Sequence, residues 1–535
     1  MRGPCNQTQP AAGLSPSRNS PMTSPQTRGS GACRGAEASL GRRARAAALL
    51  AAVGVPLGGC VGFSADGGLG PAHSYAALGL RKDIVKVSDE TAAVGAAARA
   101  EQLLRRPLTP DSAVQVALLK NRALQASFND LGVSEAEFVQ ATLPPVPRIS
   151  LSRTGGDFTL EVERSVAASL IELLTLPVRI PIAQNRFRAE QYRAVGQVLR
   201  LAGEARRQFY RTVSANQSVA YLEQALASAG SASTLAKQLG ETGALNKLEQ
   251  AREHAFYSEL GAQLAKARVL QRVEREKLIR LLGLWGREID FKLPNGLPAL
   301  PGRLVSGTRI EAEAIKKRAD IQTARFELQS LAGQYGLNQV SGFINVLDVG
   351  YSDRYERSKA FEPNEQGGFN VTREKSFGRG YSIDLVIPIY DFGTTVVRGA
   401  REAYLGAAHR LAEKAVNARS EVREAYQRYR GQYDITRHYQ GSVLPLRKTI
   451  QDQALLQYSG MLIDVTTLII DARSRILSNI QAIEAQRDFW IAATDLRAAV
   501  IGGGFTGEGF GGESAGVEAV AGGGGETLAS ATPGG

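Results

Sequence analysis

The sequence predicts a mostly α-helical fold with a small β part: long coiled-coil helical hairpins, four strands per chain and two internal repeats. Three observations lead there. Val397, Ala400, Tyr404, Ala407, Leu411, Ala415, Ala418, Val422, Ala425 and Tyr429 follow one another mostly at alternating steps of three and four, the spacing of a coiled-coil seam. The extra step of four between Leu411 and Ala415 reads as a stutter. Just before this seam, Tyr381, Ile383, Leu385, Ile387 and Ile389 alternate with Ser382 and Asp384, the period of a strand with one apolar row. The third observation is that the unit containing this strand-then-helix pattern occurs twice.

Composition narrows the function classes. The chain has 535 residues and a formal net charge of +12, but residues 1–59 hold seven arginines and one acid, so without them the net charge falls to +6. No Lys/Arg run marks a nucleic-acid face, and no nucleic-acid partner is expected. Cys5, Cys33 and Cys60 are the three cysteines. They leave the rest of the chain without a disulfide framework, a zinc pattern or a thiol nucleophile. His73, His254, His409 and His438 are scattered, and no cofactor or metal is expected. Glu161 and Glu163 are two apart, as alternating strand positions are, and read as a solvated wall rather than an acid/base pair. With no catalytic constellation, the chain is not expected to be an enzyme.

Taken in order, residues 1–41 are rich in Ser, Pro, Gly and Arg and read as disordered or as a start codon called too early, with Met22 as a second candidate. Residues 42–59 have a basic Arg42-Arg43-Ala-Arg45 start, a short apolar run and small residues before Cys60, the layout of a secretory signal. The run is too short to span a bilayer, which takes about 20 apolar residues. Leu57-Gly58-Gly59-Cys60 resembles a bacterial lipobox, which implies cleavage between Gly59 and Cys60 and a diacylglyceryl group on the cysteine sulfur. Val61 in the next position favours the outer over the inner membrane by the same resemblance. An ordinary signal peptide with an incidental cysteine is the alternative.

Residues 60–105 read as a tether that wraps the body. The first repeat occupies residues 106–302. Thr109 caps a helix with Pro110 in its first turn, running to about Gln140 and stopped by Leu143-Pro-Pro-Val-Pro147. Strands are expected over 148–154 and from Phe158, joined by Gly155-Gly156. A long helix follows from about Ala183 to Leu239, a turn at Gly240–Gly243, and a return helix to about Leu282. Gly283–Gly302 is a Pro/Gly linker. The second repeat, residues 303–501, has a helix from Arg309 to about Gly336, a strand over 342–351, a polar loop over 353–375, the Tyr381–Tyr390 strand and the long helix. Leu444-Pro445 kinks or splits that helix, a turn lies near Gly460, and the return runs from about Val465 to Ile501. Residues 502–535 form a Gly-rich tail that reads as disordered.

The duplication has anchors. Asn121-Arg-Ala-Leu124 matches Arg318-Ala-Asp-Ile321 at an offset of 197, whereas Glu204–Phe209 matches Glu421–Tyr426, and Gly243 matches Gly460, at 217. The extra 20 residues are assigned to the segment 353–375. Four strands cannot close a barrel, which takes about eight. An open sheet edge is not tolerated in lipid. The strands therefore pair across chains or lie outside a membrane, and the first option makes the protein a homo-oligomer.

Arg318-Ala-Asp-Ile321 with Ala324, Ile387-Pro-Ile-Tyr-Asp-Phe-Gly393, Glu421–Tyr426, and Tyr458-Ser-Gly460 with Asp471-Ala472 together resemble the TolC-type outer-membrane efflux family over about residues 106–501. The resemblance implies a homotrimer with a shared twelve-stranded transmembrane β-barrel and a periplasmic α-barrel. It further implies docking to a periplasmic adaptor protein and an inner-membrane pump, in an outer-membrane duct for efflux or secretion. The first repeat departs from the pattern, with Leu170–Ile182 in place of the Pro-Ile-Tyr-Asp-Phe-Gly motif. On this reading Leu347, Val349, Ile383, Leu385 and Ile387 face lipid, and Gly243 and Gly460 form the periplasmic tip turns with positive φ. Asp464 and Asp471 are candidates for an acidic gate, or else simply solvate helix ends. A lipid-anchored periplasmic coiled-coil scaffold that does not span the membrane is the competing reading.

Overall fold

The computed structural model describes residues 62–502 and Gly504, apart from Ala244, Thr308, residues 364–366 and Gly368. The signal segment, Cys60 and nearly all of the Gly-rich tail lie outside these residues.

The segment after Cys60 packs on the body. A short helix α1 (Gly70–Tyr75) and a π-turn (Ala76–Leu80) precede α2 (Glu90–Leu104). Leu69, Ala72, Ala76 and Ile84 are buried in the main core. Gln125 fastens the extended stretch, accepting from Val87 N and donating to Val85 O, both at 2.9 Å.

The first repeat begins with two helices where the sequence suggests one. Thr109 caps α3 (Pro110–Lys120) in a capping box with Ser112, and α4 (Arg122–Thr142) follows after a break at Asn121. In the second repeat α7 (Ile310–Lys317) and α8 (Ala319–Ser341) are broken in the same way at Arg318. The two break residues share a backbone conformation, φ −67°, ψ 117° for Asn121 and φ −62°, ψ 126° for Arg318. These are the positions that the duplication aligns. Each break is pressed by a left-handed glycine that ends a return helix. A Cβ on Gly283 would come within 2.7 Å of Lys120 O, and one on Gly502 within 2.9 Å of Ala319 N.

The long helix of the first repeat, α5 (Leu170–Glu241), starts directly at the end of a strand rather than at Ala183. Its 72 residues span about 108 Å at about 1.5 Å per residue. Pro177 and Pro181 lie inside its first turns. Each removes a donor from the ladder, but Leu173 and Pro177, whose carbonyls lose a partner, are exposed and the backbone there is open to the surroundings. The return helix is α6 (Lys247–Leu282). In the second repeat α9 (Thr394–His438) continues through a π-turn at Tyr439–Val443 into α10 (Leu444–Ser459), with Pro445 in the first turn of α10. The return is α11 (Val465–Ile501). The expected seam of α9 is on its packed side, with Ala407, Ala418, Val422, Ala425 and Tyr429 buried.

The chain core is divided along the helices. One cluster gathers α3, α4, α5 and α6 around Phe128 and Phe209. A second gathers α7, α9 and α11 around Tyr429 and Phe489. A third lies towards the hairpin tips around Phe256 and Leu260. A buried ion pair joins the repeats, Arg207 Nε to Asp495 Oδ1 at 2.5 Å, with the two side chains only 4% and 5% exposed.

The β part is one antiparallel sheet in the order β1 (Arg148–Gly155), β2 (Thr159–Ser169), β3 (Val346–Pro363), β4 (Phe369–Val386). The second hairpin corrects the sequence reading. Residues expected to form a polar loop, Asp353 to Lys375, belong mostly to strands of 18 residues each. The extra length of the second repeat does lie there, 22 residues from Arg148 to Ser169 against 41 from Val346 to Val386, but as a longer hairpin. Charged residues occupy both faces of this part, so hydrophobic alternation does not reveal it. The last strand is also shorter at its helical end than expected. It stops at Val386, and Ile387–Tyr390 lead into the turn at Asp391–Gly393.

Gly393 caps α9 at φ 75°, and a Cβ there would lie 1.9 Å from Gly342 O. Gly393→Ala is expected to destabilise the purified protein by more than the roughly 1–2 kcal/mol that a left-handed backbone costs an L-residue, because the carbonyl must also move. Gly399→Ala, within the helix and with nothing within 4 Å of the new Cβ, should gain about 0.5–1 kcal/mol. Denaturant unfolding of both variants checks this, and equal stabilities would contradict it.

Candidate functional site

The sheet register sorts its residues onto two unlike faces. Leu347 is paired with Leu385, Val349 with Ile383 and Tyr351 with Tyr381 across β3 and β4. Ala168 and Val166 of β2 continue the Val349 and Tyr351 rows, and Ile149 of β1 extends the Tyr351 row. The aromatic pairs Tyr351–Tyr381 and Tyr355–Phe377 have ring centroids 5.5 and 5.0 Å apart on this face. The opposite face carries Ser150, Ser152, Ser165, Ser352, Gly380 and Ser382, with Asp348 paired with Asp384. Arg354 lies between Glu161 and Glu163 on that face, at 2.9 and 3.7 Å.

The sheet is neither closed nor covered. β1 is exposed along its whole length and β4 along nearly all of it. Among the described residues β1 and β4 each pair on one side only, which leaves two open edges. All four strand ends near Arg148, Ser169, Val346 and Val386 meet the helices, and both hairpin turns lie at the far end. The two helical hairpins, α5–α6 and α10–α11, turn at Gly243 and Gly460.

Neither a family model nor a curated protein matches the sequence. Solved structures do match. The CmeC outer membrane channel of Campylobacter jejuni aligns with a TM-score of 0.61 at 15% identity, covering 74% of this chain and 86% of that one. The outer membrane protein VceC of Vibrio cholerae aligns at 0.58 and 15%, covering 74% and 96%. The open-state MtrE outer membrane channel of Neisseria gonorrhoeae aligns at 0.57 and 16%, covering 73% and 88%. The fold is that of the TolC-type outer-membrane channels.

In this TolC-type fold the sequence-singled residues fall as follows. Leu347, Val349, Ile383 and Leu385 share the apolar face of the sheet. Ile387 does not belong with them, because β4 has ended and Pro388 starts the turn. Gly243 has the expected positive φ, 78°. Gly460 does not; it sits at φ −84° and the left-handed residue is Met461 at 56°. The helix end is closed one residue later than glycine alone suggests, and Met461 is 94% exposed. Asp464 is the N-cap of α11, accepting from Thr467 N at 3.0 Å. Asp471 is half-buried two turns further along the same helix.

Sequence reasoning missed a group near the tip. Between α5, α6, α10 and α11 lies a cleft of about 430 Å³, lined by Tyr221, Leu235, Phe256, Gln451, Leu455 and Ile476 among others. Glu253 also lines it and is 5% exposed. Its Oε2, like Gln451 Oε1, is buried without a hydrogen-bond partner. Burial pushes the Glu253 carboxyl up from its ordinary value, opposed by the adjacent His254. Its place in the run Glu253-His-Ala-Phe256 gives no sign of this, since a glutamate on a coiled-coil helix usually faces water.

The folded chain thus holds the Glu253 proton more tightly than the unfolded chain does. Stability falls as pH rises from the ordinary carboxylate range through the raised value. Glu253→Gln keeps the shape without the titration, so it should lose less stability than the parent between about pH 5 and about pH 8. Parallel thermal unfolding at both pH values tests this; identical pH dependence of the two proteins would contradict it.

Proposed function

We propose that the protein is an outer-membrane duct of a tripartite efflux or secretion system, passive and without bond chemistry of its own. The observation that carries this is the sheet: an apolar face, a small polar face, and two edges without partners. In hydrocarbon each unpaired backbone group costs several kcal/mol, so the sheet needs copies of itself along both edges. Three copies supply twelve strands, enough for a closed barrel with a lumen in the range where barrels widen beyond about eight strands. Leu347, Val349, Ile383 and Leu385 then face lipid, and the Ser/Gly/Glu face lines the lumen.

The same assembly joins the long helices into a hollow barrel that extends into the periplasm. Its tip offers the turns at Gly243 and Gly460, with Met461 and Leu462 strongly exposed, to a periplasmic adaptor and an inner-membrane pump. Such ducts act as trimers in this reading, and the cargo is selected upstream. Asp471, rather than the capping Asp464, is the better candidate for a ring of three carboxylates that favours cations. Cys60 carries the lipid anchor after cleavage behind Gly59. The intact mass of the chain extracted from bacterial envelopes should show an acylated N-terminal cysteine, and an unacylated N-terminus elsewhere would remove this anchor.

A non-spanning scaffold is disfavoured by the exposure of both sheet faces, since a soluble domain would bury the apolar one. Reconstituted in planar bilayers, the protein should show stepwise ion conductance. Asp471→Ala should lower the cation preference of those steps; an unchanged preference takes Asp471 out of the gate, and folded protein that never conducts contradicts the duct.

A further inference from the structure

The apolar face of the sheet changes character towards its hairpin ends. Beyond the Tyr355–Phe377 pair, Arg357 lies directly opposite Lys375, and in the next row Lys359 lies opposite Arg373. Like charges placed directly across an antiparallel pair destabilise it, and here two consecutive rows do so. Among the described residues none of these four makes an ion pair. Arg357 Nε is moreover buried without a hydrogen-bond partner. Glu356 and Glu374 do not relieve them, because they belong to the alternate positions that point to the other face. Among the described residues the sheet therefore holds a positive belt without ion-pair partners.

Its position gives the missing counter-charge. From the helical end, the face runs from aliphatic rows at Leu347 and Val349 through aromatic rows at Tyr351 and Tyr355, with a mixed row at Asp353 and Arg379 between them, to the two basic rows. Leu347 to Tyr355 covers about 26 Å along a strand at about 3.3 Å per residue. At a tilt of about 40° this projects to roughly 20 Å, close to the apolar band of about 25 Å in membrane barrels. The Tyr355–Phe377 row falls where such barrels carry their interfacial girdle, and the basic rows fall just outside it, at headgroup depth.

We infer that Arg357, Lys359, Arg373 and Lys375 form a belt that binds the phosphate groups of anionic lipid headgroups on the membrane surface remote from the helices. The inference rests on the sheet spanning a membrane. Guanidinium forks match phosphate oxygens in pairs, and the lysines add point charge. Bound phosphates turn two repulsive rows into bridged ones, so the lipid also holds the protruding hairpin in register.

The test uses the full-length assembled protein in phosphatidylcholine bilayers containing spin-labelled phosphatidylglycerol or spin-labelled phosphatidylcholine. Electron paramagnetic resonance then reads the fraction of each label held at the protein. The parent should prefer phosphatidylglycerol by about fivefold or more, what one cation at a membrane surface is worth. The variant Arg357→Gln/Lys359→Gln/Arg373→Gln/Lys375→Gln should lose most of that preference while conducting as the parent does. A variant that keeps the preference, a parent that has none while still conducting, or a preference abolished by millimolar inorganic phosphate would each overturn the belt and leave the duct standing. A parent that fails to insert or conduct would count against the duct itself. Should the neutral variant fail to assemble, Lys359→Gln/Lys375→Gln, which keeps one cation in each row, should still reduce the preference, and no reduction overturns the belt.

Discussion

The structure depends on where the backbone hydrogen bonds of one four-stranded sheet go. Among the described residues β1 and β4 each pair on one side only, and β1 and nearly all of β4 are exposed. In water such edges invite aggregation. In a bilayer they are not tolerated at all. The proposed ring of identical sheets would answer both problems, with the apolar face of each sheet towards lipid. The helices follow from this, because each strand of the second hairpin runs into a helix with only a short turn between, and β2 runs into α5 with none. In the proposed ring, strands continued by helices would make a tube longer than the membrane is thick.

The duplicated layout is held by small local devices. Each repeat breaks its first helix pair at one residue, Asn121 or Arg318, and each break is covered by the glycine that ends the return helix. Asn121 fixes its break by capping Leu124 N and by donating to Leu281 O at 3.0 Å. Arg318 does so with charge, reaching Asp320 at 2.8 Å and Glu421 at 2.6 Å. One repeat thus uses an amide and the other an ion network for the same geometry. Arg207 and Asp495 then join the two repeats through a pair that would be strongly destabilising to break, because either partner alone would leave a buried charge.

The helices were legible because coiled-coil seams and turn glycines are local signals, and the α9 seam is buried where the spacing of Ala407 to Tyr429 puts it. The duplication was legible because the anchors Glu204–Phe209 and Glu421–Tyr426 keep the same spacing to the tip glycines. Other features were not legible, each for a physical reason. The extension of β3 and β4 past Asp353 carries charge on both faces, so alternation between apolar and polar disappears. The start of α5 at Leu170 is obscured by Pro177 and Pro181, which signal a boundary but are tolerated where the freed carbonyls are open. The tip turn places positive φ on Met461 beside a glycine that does not need it. Leu347, Val349, Ile383 and Leu385, the row proposed to face lipid, do share one face of the sheet, whereas Ile387 lies beyond it, where the proline that follows ends the strand. The burial of Glu253 depends on how two hairpins pack together, which no single helix pattern carries.

The central claim is that the edges of this sheet are completed by other copies of the chain. Amide hydrogen exchange on the purified, membrane-extracted protein tests it most directly, read at every second residue of β1 and β4, whose N–H groups find no strand partner among the described residues. The account predicts that these amides exchange as slowly as those of β2 and β3. Rapid exchange along β1 and β4, with the inner strands protected, would mean that the edges stay open and would contradict it.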